Sequence, residues 1–456
     1  MSAGKNLQQG IPSDVNEIAA PLQEVVEQAL NDAVSRCGAS SAEADASLSQ
    51  GSSLTVRLGE IETIEHNRDK SLSLTVYFDK KSGSASTSDM SDEAIRNTVD
   101  AACSIASLTA EDECGGLADA DQMAQELPQL DLWHPWNPDA DMARELALEC
   151  EEVARQAGSA ICNSEGATVS SHEGVGIYSN THGFSGTKYG SRHSLSCSVI
   201  ASDGEAMERD FWYTVARNRS ALQTAAEVGR IAGQRTLDRL GSRKIATCQT
   251  PVIYEAQVAS SLLSHLISAI SGGALYRKSS FLLDHKGKKI FPDHINISEQ
   301  PYLPKAMGSA AFDNEGVATR QRSIIKDGVL MDYVLNSYSA RKLGMQTTGN
   351  AGGVHNLIIE HGNSDLPALM KKMGSGLLVT ELIGFGINNV TGDYSRGAAG
   401  FWVENGEIQY PVSEITVAGN LLDIFQSFVE VGSDLDYRGN IITGSILVEK
   451  MTVAGE

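Results

Sequence analysis

The chain has 456 residues, 41% apolar and 21% charged, an ordinary globular composition at a length beyond what one hydrophobic core serves. Its formal net charge of −22 repels phosphate backbones and works against unspecific DNA or RNA binding through the bulk surface. No stretch reaches the roughly 18 apolar residues of a membrane span, and Met1-Ser2-Ala3-Gly4-Lys5-Asn6 opens without the apolar run of a secretory signal, so a cytoplasmic protein is expected.

The seven cysteines are widely spaced and form no Cys-x-x-Cys pair, which argues against a disulfide framework or a thiolate zinc knuckle. Most are expected to be small buried apolar groups.

In chain order, Pro21 near a helix start, an apolar stripe of Leu22, Val25, Val26, Ala29, Leu30, Ala33 and Val34, and Gly38 as a stop predict a first helix. Short β-rich runs over 54–58, 61–64 and 72–78 alternate with turn material at Arg68-Asp69-Lys70 and Ser82-Gly83, which reads as an antiparallel meander. A helix with Ile95, Val99, Cys103 and Ala106 on one side follows. Between 111 and 152 acids concentrate and Arg144 is the only Lys or Arg; with Pro128, Pro135 and Pro138 this reads as a solvated linker leading into a helix over 141–157. Polar alternation over 167–215 predicts extended antiparallel strands, and a helix over 220–240 ends at Gly241.

Ser242-Arg243-Lys244 reads as a linker, so the expected fold is α+β in two domains. Residues 1–241 form one, with helices on an antiparallel sheet; residues 242–456 form a β-rich second domain with a few helices. That half opens with a strand over 250–254 and a helix over 256–271 ending at Gly272-Gly273, and glycines punctuate the strand-like text beyond.

The common catalytic signatures fail. There is no Gly-x-x-x-x-Gly-Lys-Ser/Thr, no strand-borne Gly-x-Gly-x-x-Gly and no Gly-x-Ser-x-Gly elbow. His172-Glu173 is followed by Gly174-Val175-Gly176-Ile177, which supplies no second histidine one turn on and favours a surface strand. His265 lies in an apolar helix with Ser268 and Ala269 one turn on, so it reads as a packing or interface residue. Gly392-Asp393-Tyr394-Ser395-Arg396-Gly397 reads as a loop that orients a peptide backbone or a partner surface, or that an Asp-Arg pair braces.

Three segments carry a resemblance: Gly272-Gly273-Ala274-Leu275-Tyr276-Arg277-Lys278-Ser279-Ser280-Phe281-Leu282, Ser337-Tyr338-Ser339-Ala340-Arg341-Lys342-Leu343-Gly344, and the long run Thr391-Gly392-Asp393-Tyr394-Ser395-Arg396-Gly397-Ala398-Ala399-Gly400-Phe401-Trp402-Val403-Glu404-Asn405-Gly406. They resemble the PmbA/TldE branch of the TldD/PmbA metallopeptidase family, whose older label is modulator of DNA gyrase. In the TldD branch a His-Glu-x-x-x-His helix and a Cys near the C-terminus form the metal site. The corresponding positions here are Ser264, His265 and Ala269, with Thr443 at the Cys position, and one imidazole cannot supply the three protein ligands of a catalytic zinc.

The resemblance therefore implies a chain with no cofactor and no catalytic residue of its own. It implies a heterodimer with a TldD-like subunit that holds a zinc-like divalent metal and cuts unfolded peptides, in precursor maturation or antitoxin degradation. It also allows a homodimer when that partner is missing. Arg277, Lys278, Asp393, Tyr394, Ser395 and Arg396 are the expected substrate or partner contacts, and no direct nucleic-acid or membrane contact is expected. Two further readings stay open: a non-proteolytic regulatory binding protein, and an independent metallopeptidase using His285, His294, His355 and His361, which lack ligand spacing.

Overall fold

A computed structural model describes residues 13–204 and 206–455. Helix α1 (Ser13–Asn31) runs through one wider turn to Gly38, whose φ of +73° stops it at the expected glycine. Pro21 lies inside α1 rather than near its start. Val15, Ala19, Leu22 and Val26 continue one buried stripe across it, and that burial outweighs the single backbone bond the proline forfeits.

Strands β1 (Ser41–Arg57), β2 (Glu60–Phe78), β3 (Lys81–Thr87), β4 (Ile161–Asn180), β5 (Ser185–Ser202) and β6 (Met207–Ala216) form an antiparallel sheet in the order β3-β2-β1-β4-β5-β6. β2 runs unbroken through Arg68-Asp69-Lys70, which is therefore no turn: Gln50, Ser49 and Leu48 of β1 stand opposite and supply the ladder partners. Ser82-Gly83 likewise lies inside β3. The chain reverses instead at Asp79-Lys80, with Asp79 at φ +54°.

Ser91, Asp139 and Thr224 cap α2 (Asp92–Leu108), α3 (Ala140–Arg155) and α4 (Ala225–Asp238), their side chains accepting from the N–H groups of Ala94, Met142 and Glu227. α1 and α2 cover Ala42, Ala44, Ala46, Leu72, Leu74 and Val76. α3 and α4 cover Leu54, Val56, Val169, Leu195 and Val199. Both clusters use the even-numbered side chains of β1, so the two helix pairs sit on one face of the sheet at its opposite ends.

The acidic segment before α3 is irregular but it is not a free linker. Asp112 accepts from Tyr338 Oη at 2.7 Å and Lys342 Nζ at 2.9 Å, and Asp119 pairs with Arg341 at 2.7 Å, which straps it to the second half of the chain. Of the cysteines, only Cys150 and Cys197 are buried and Cys162 is exposed, so the expectation for most of them fails.

Beyond the first sheet come β7 (Cys248–Tyr254), α5 (Ala256–Ala269) and α6 (Gly272–Tyr276), then β8 (Ile297–Glu299), β9 (Arg322–Lys326), β10 (Val329–Leu330), α7 (Ser337–Lys342), β11 (Leu357–Ile359) and α8 (Leu366–Met373). The last elements are β12 (Gly376–Ile383), β13 (Asp393–Glu404), β14 (Glu407–Asn420), α9 (Leu421–Gln426), β15 (Phe428–Val431), β16 (Ile441–Ile442) and β17 (Ile446–Ala454). A five-stranded sheet has the order β10-β9-β8-β11-β16, and a six-stranded one the order β14-β13-β12-β7-β17-β15. The latter closes on itself, because β14 also pairs with β17 through Thr416, Val417 and Ala418. The α+β class expected from the sequence is the one observed. Among the described residues, no helix is long and apolar enough to cross a membrane.

Two local expectations need correction here. Gly272-Gly273 opens α6 instead of ending a helix: Ser271 caps it, and α6 passes so close to α7 that a Cβ on Gly272 would lie 2.1 Å from Ser339 Oγ. Asp393 to Arg396 are the first residues of β13, not a loop, because Asn420, Gly419, Ala418 and Val417 of β14 pair with them.

Candidate functional site

Helix α5 is the element on which a metal would be expected. Its apolar positions Ala259, Leu262, Leu263, Leu266 and Ala269 are fully buried, and each leucine contributes about 1.5–3 kcal/mol. The opposite side is a row of serines whose hydroxyls turn back onto the helix: Ser264 Oγ donates to Ser260 O at 3.1 Å and Ser268 Oγ to Ser264 O at 2.9 Å.

Of the four positions that the resemblance sets against the TldD branch's metal site, none offers a ligand set. Ser264 spends its hydroxyl on the helix, Ala269 is buried without a donor side chain, and Thr443, fully buried, donates to Gly444 O at 2.9 Å. His265 remains. Its ring meets Tyr394 edge-on at 5.9 Å, and its Nε2 is buried without a hydrogen-bond partner. Burial first, and the Arg396 guanidinium second, push the imidazole down to about 4, so it is neutral at pH 7. A neutral imidazole is a competent ligand, but the nearby guanidinium repels a divalent cation and no carboxylate or thiolate completes the set. These residues do not fit a catalytic metal. Among the described residues, no group of three or more His, Cys, Asp or Glu is placed to hold one, and His285, His294, His355 and His361 are not brought together into such a set.

β13 sorts the remaining expected contacts by face. Tyr394 is 1% exposed and points inward, where its hydroxyl meets that of Tyr254 on β7 at 3.3 Å; Tyr254 Oη in turn reaches Met451 Sδ on β17 at 3.4 Å. Burial pushes both phenols up, so both stay protonated. Arg396 follows on the same face, half-buried, with its Nε lacking an acceptor. Asp393 and Ser395 alternate to the exposed face; Asp393 accepts from Thr391 Oγ1 at 2.6 Å, and the Asp-Arg brace suggested by the sequence is not formed.

Arg277 and Lys278 lie elsewhere, at the end of α6. Arg277 lines a cleft of about 540 Å³ with Ser268, Ser271, Ser279, Asn336 and Asn389. Its guanidinium lies 5.3 Å from the Tyr276 ring centre and donates to that phenol at 3.2 Å. Lys278 is exposed in a left-handed turn at φ +56° and does not line the cleft. The structure thus brings His265, Tyr394 and Arg396 together, and places Arg277 beside the next turn of the same helix through Ser268. Tyr254, Ser268, Ser271 and Asn389 were not singled out from the sequence. Ser271 alone carried a signal, as a capping serine before α6; the others gather from distant segments.

Three parts of the chain match the family described as PmbA/TldA metallopeptidase: its domain 1 at residues 42–106, its central domain at 133–240 and its C-terminal domain at 247–455. Metalloprotease PmbA homolog from Haemophilus influenzae is 48% identical over 447 residues, 96% of this chain and 99% of that protein. Metalloprotease PmbA from Escherichia coli O157:H7 is 48% identical over 436 residues, covering 95% and 97% of the two. Among solved structures, a putative modulator of DNA gyrase from Bacteroides thetaiotaomicron superposes with a TM-score of 0.90 at 30% identity, covering 97% of this chain and 99% of that one. TldE from Thermococcus kodakarensis shares the fold, with a TM-score of 0.82 at 20% identity over 95% of this chain and all of that one.

Proposed function

The chain belongs to the PmbA/TldD family of metallopeptidases, and from that premise we propose that it is the metal-free subunit of a two-subunit cytoplasmic peptidase. A TldD-like partner holds the zinc-like metal and its activated water. This chain closes the chamber and grips unfolded peptides, as in precursor maturation or antitoxin degradation. The observation that carries the reading is the Arg396 guanidinium beside His265: positive charge stands on the helix that the resemblance sets against the metal-binding helix of the TldD branch.

The half-buried Arg396 guanidinium, without a partner, offers donors beside His265, while the two phenols lie buried behind it. Such donors suit the carbonyl groups of an extended peptide, and Arg277 with the Asn389 amide of the adjacent cleft suits them too. None of these groups activates water by itself, so hydrolysis is assigned to the partner's metal.

The test is cleavage of an unstructured peptide by this chain, by a TldD-like subunit and by the two mixed, with and without a chelator. Chelator-sensitive activity in the mixture alone supports the proposal. Chelator-sensitive cleavage by this chain alone would establish an independent metallopeptidase instead.

A further inference from the structure

The turn that ends α1 meets one edge of α2, far along the chain, and the meeting brings two cysteines together. Arg36 and Cys37 stand at that turn. On α2, Arg96, Asp100 and Cys103 recur at helical spacing and share one stripe. Arg36 Nη1 donates to Asp100 Oδ1 at 2.6 Å and Nη2 to Arg96 O at 3.4 Å, which sets the turn against that stripe. Cys37 Sγ then lies 3.6 Å from Asp100 Oδ1, one helical turn from Cys103, and within hydrogen-bonding reach of the Cys103 thiol. Both cysteines pack against the edge of the core that α1 and α2 cover.

Exposure sets this pair apart from a second one. Cys150 on α3 and Cys197 on β5 are also within hydrogen-bonding reach of each other, but they are 0% and 1% exposed, inside the core under α3 and α4, where a dissolved oxidant does not reach them. Cys37 and Cys103 are only half-buried, and the side chains beside them, Arg36 and Asp100, are 39% and 54% exposed, so the pair is approached from solvent. Burial first, and the neighbouring Cys37 thiol second, push the Cys103 thiol up to about 12. The thiolate is the nucleophile in thiol chemistry, so Cys103 reacts second and the exchange opens on Cys37.

We propose that Cys37 and Cys103 are a reversible oxidation site, whose disulfide clamps the end of α1 to α2. With glutathione disulfide as the oxidant, Cys37 attacks one of its sulfurs and releases one glutathione; Cys103 then attacks Cys37 Sγ and releases the second. The protein loses two S–H bonds and gains one S–S bond, while the glutathione S–S bond breaks and its two sulfurs take up both protons and both electrons. In a reducing compartment the pair rests as a dithiol and closes when the oxidised share of glutathione rises. The link closes a loop that contains β1, β2 and β3 and so removes freedom from the unfolded chain. The site is independent of the peptidase role.

Fragment mapping of the full chain by mass spectrometry tests this. After incubation with glutathione disulfide at mildly alkaline pH, alkylation of the remaining thiols and proteolysis, Cys37 and Cys103 are expected in one linked pair of fragments that a dithiol reductant separates. The oxidised chain should unfold at a higher denaturant concentration than the reduced chain, and Cys103→Ser should abolish both the link and that rise. Should Cys103→Ser fail to fold, Cys37→Ser reads the same link. Cysteines 37 and 103 that stay separately alkylatable, or that each carry glutathione without a link between them, overturn the proposal. An equal midpoint in the linked and reduced chains overturns the clamp.

Discussion

Arg396 stands beside His265 with its Nε buried and without an acceptor, and its charge adds to burial in holding the imidazole near 4. A histidine held below its ordinary value takes up a proton more readily in the unfolded chain. The fold therefore loses stability as pH falls from about 6.5 towards 4, and this group has no effect above that window. Between pH 7 and 4.5, the difference in unfolding free energy between His265→Gln and the parent chain should move by about 1–2 kcal/mol in favour of the variant, read from denaturant midpoints. In Arg396→Gln, an NMR titration should show His265 raised but still below its ordinary value, because burial is the larger cause.

Arg277 is exposed and spends its guanidinium only on the adjacent Tyr276 ring and hydroxyl, so the fold does not depend on it. Arg277→Ala should change unfolding free energy by less than about 0.5 kcal/mol. Peptide cleavage by the two-subunit enzyme should fall about tenfold, mainly through KM, if the cleft grips substrate; an unchanged KM would remove Arg277 from the peptide path.

Glu299 is 1% exposed and anchors the five-stranded sheet: it accepts from Arg322 Nε, Asn350 Nδ2 and His355 N, each at 2.7 Å. Glu299→Ala leaves Arg322 Nε, Asn350 Nδ2 and the His355 N–H buried without their acceptor, Asp332 at 3.1 Å remaining as the one carboxylate on Arg322, and should cost about 3–5 kcal/mol, measured by chemical denaturation at pH 7.

Gly272→Ala tests the close approach of α6 to α7. The added Cβ would fall 2.1 Å from Ser339 Oγ and 3.0 Å from Leu335 Cδ2, so the helices must part. A loss of about 1–3 kcal/mol is expected, with relief in the double variant Gly272→Ala/Ser339→Gly. Equal losses in the single and double variants would show that the contact is not what excludes a side chain.

Local signals were read where one segment suffices to make the structure. The helix over 256–271 and the stop at Gly38 follow from apolar composition and from glycine's freedom at positive φ, and both are found, the helix as Ala256–Ala269. The readings that failed did so where another strand or core overrode local preference. Arg68-Asp69-Lys70 has turn composition but becomes strand because β1 lies opposite, and Pro21 stays helical because its neighbours are buried on one stripe. The chemistry of the Asp393 to Arg396 segment is legible in the sequence, yet its alternation into an inner pair and an outer pair depends on pairing with β14, which no local pattern encodes.

The sequence by itself determined the α+β class and the apolar faces of the helices, because composition and periodicity belong to the chain before it folds. Only the tertiary structure decided that Arg396 would face His265 and that Tyr254 and Tyr394 would meet inside a closed sheet. Side-chain direction in a strand has a period of two, so register and curvature, set by distant partners, determine which groups converge.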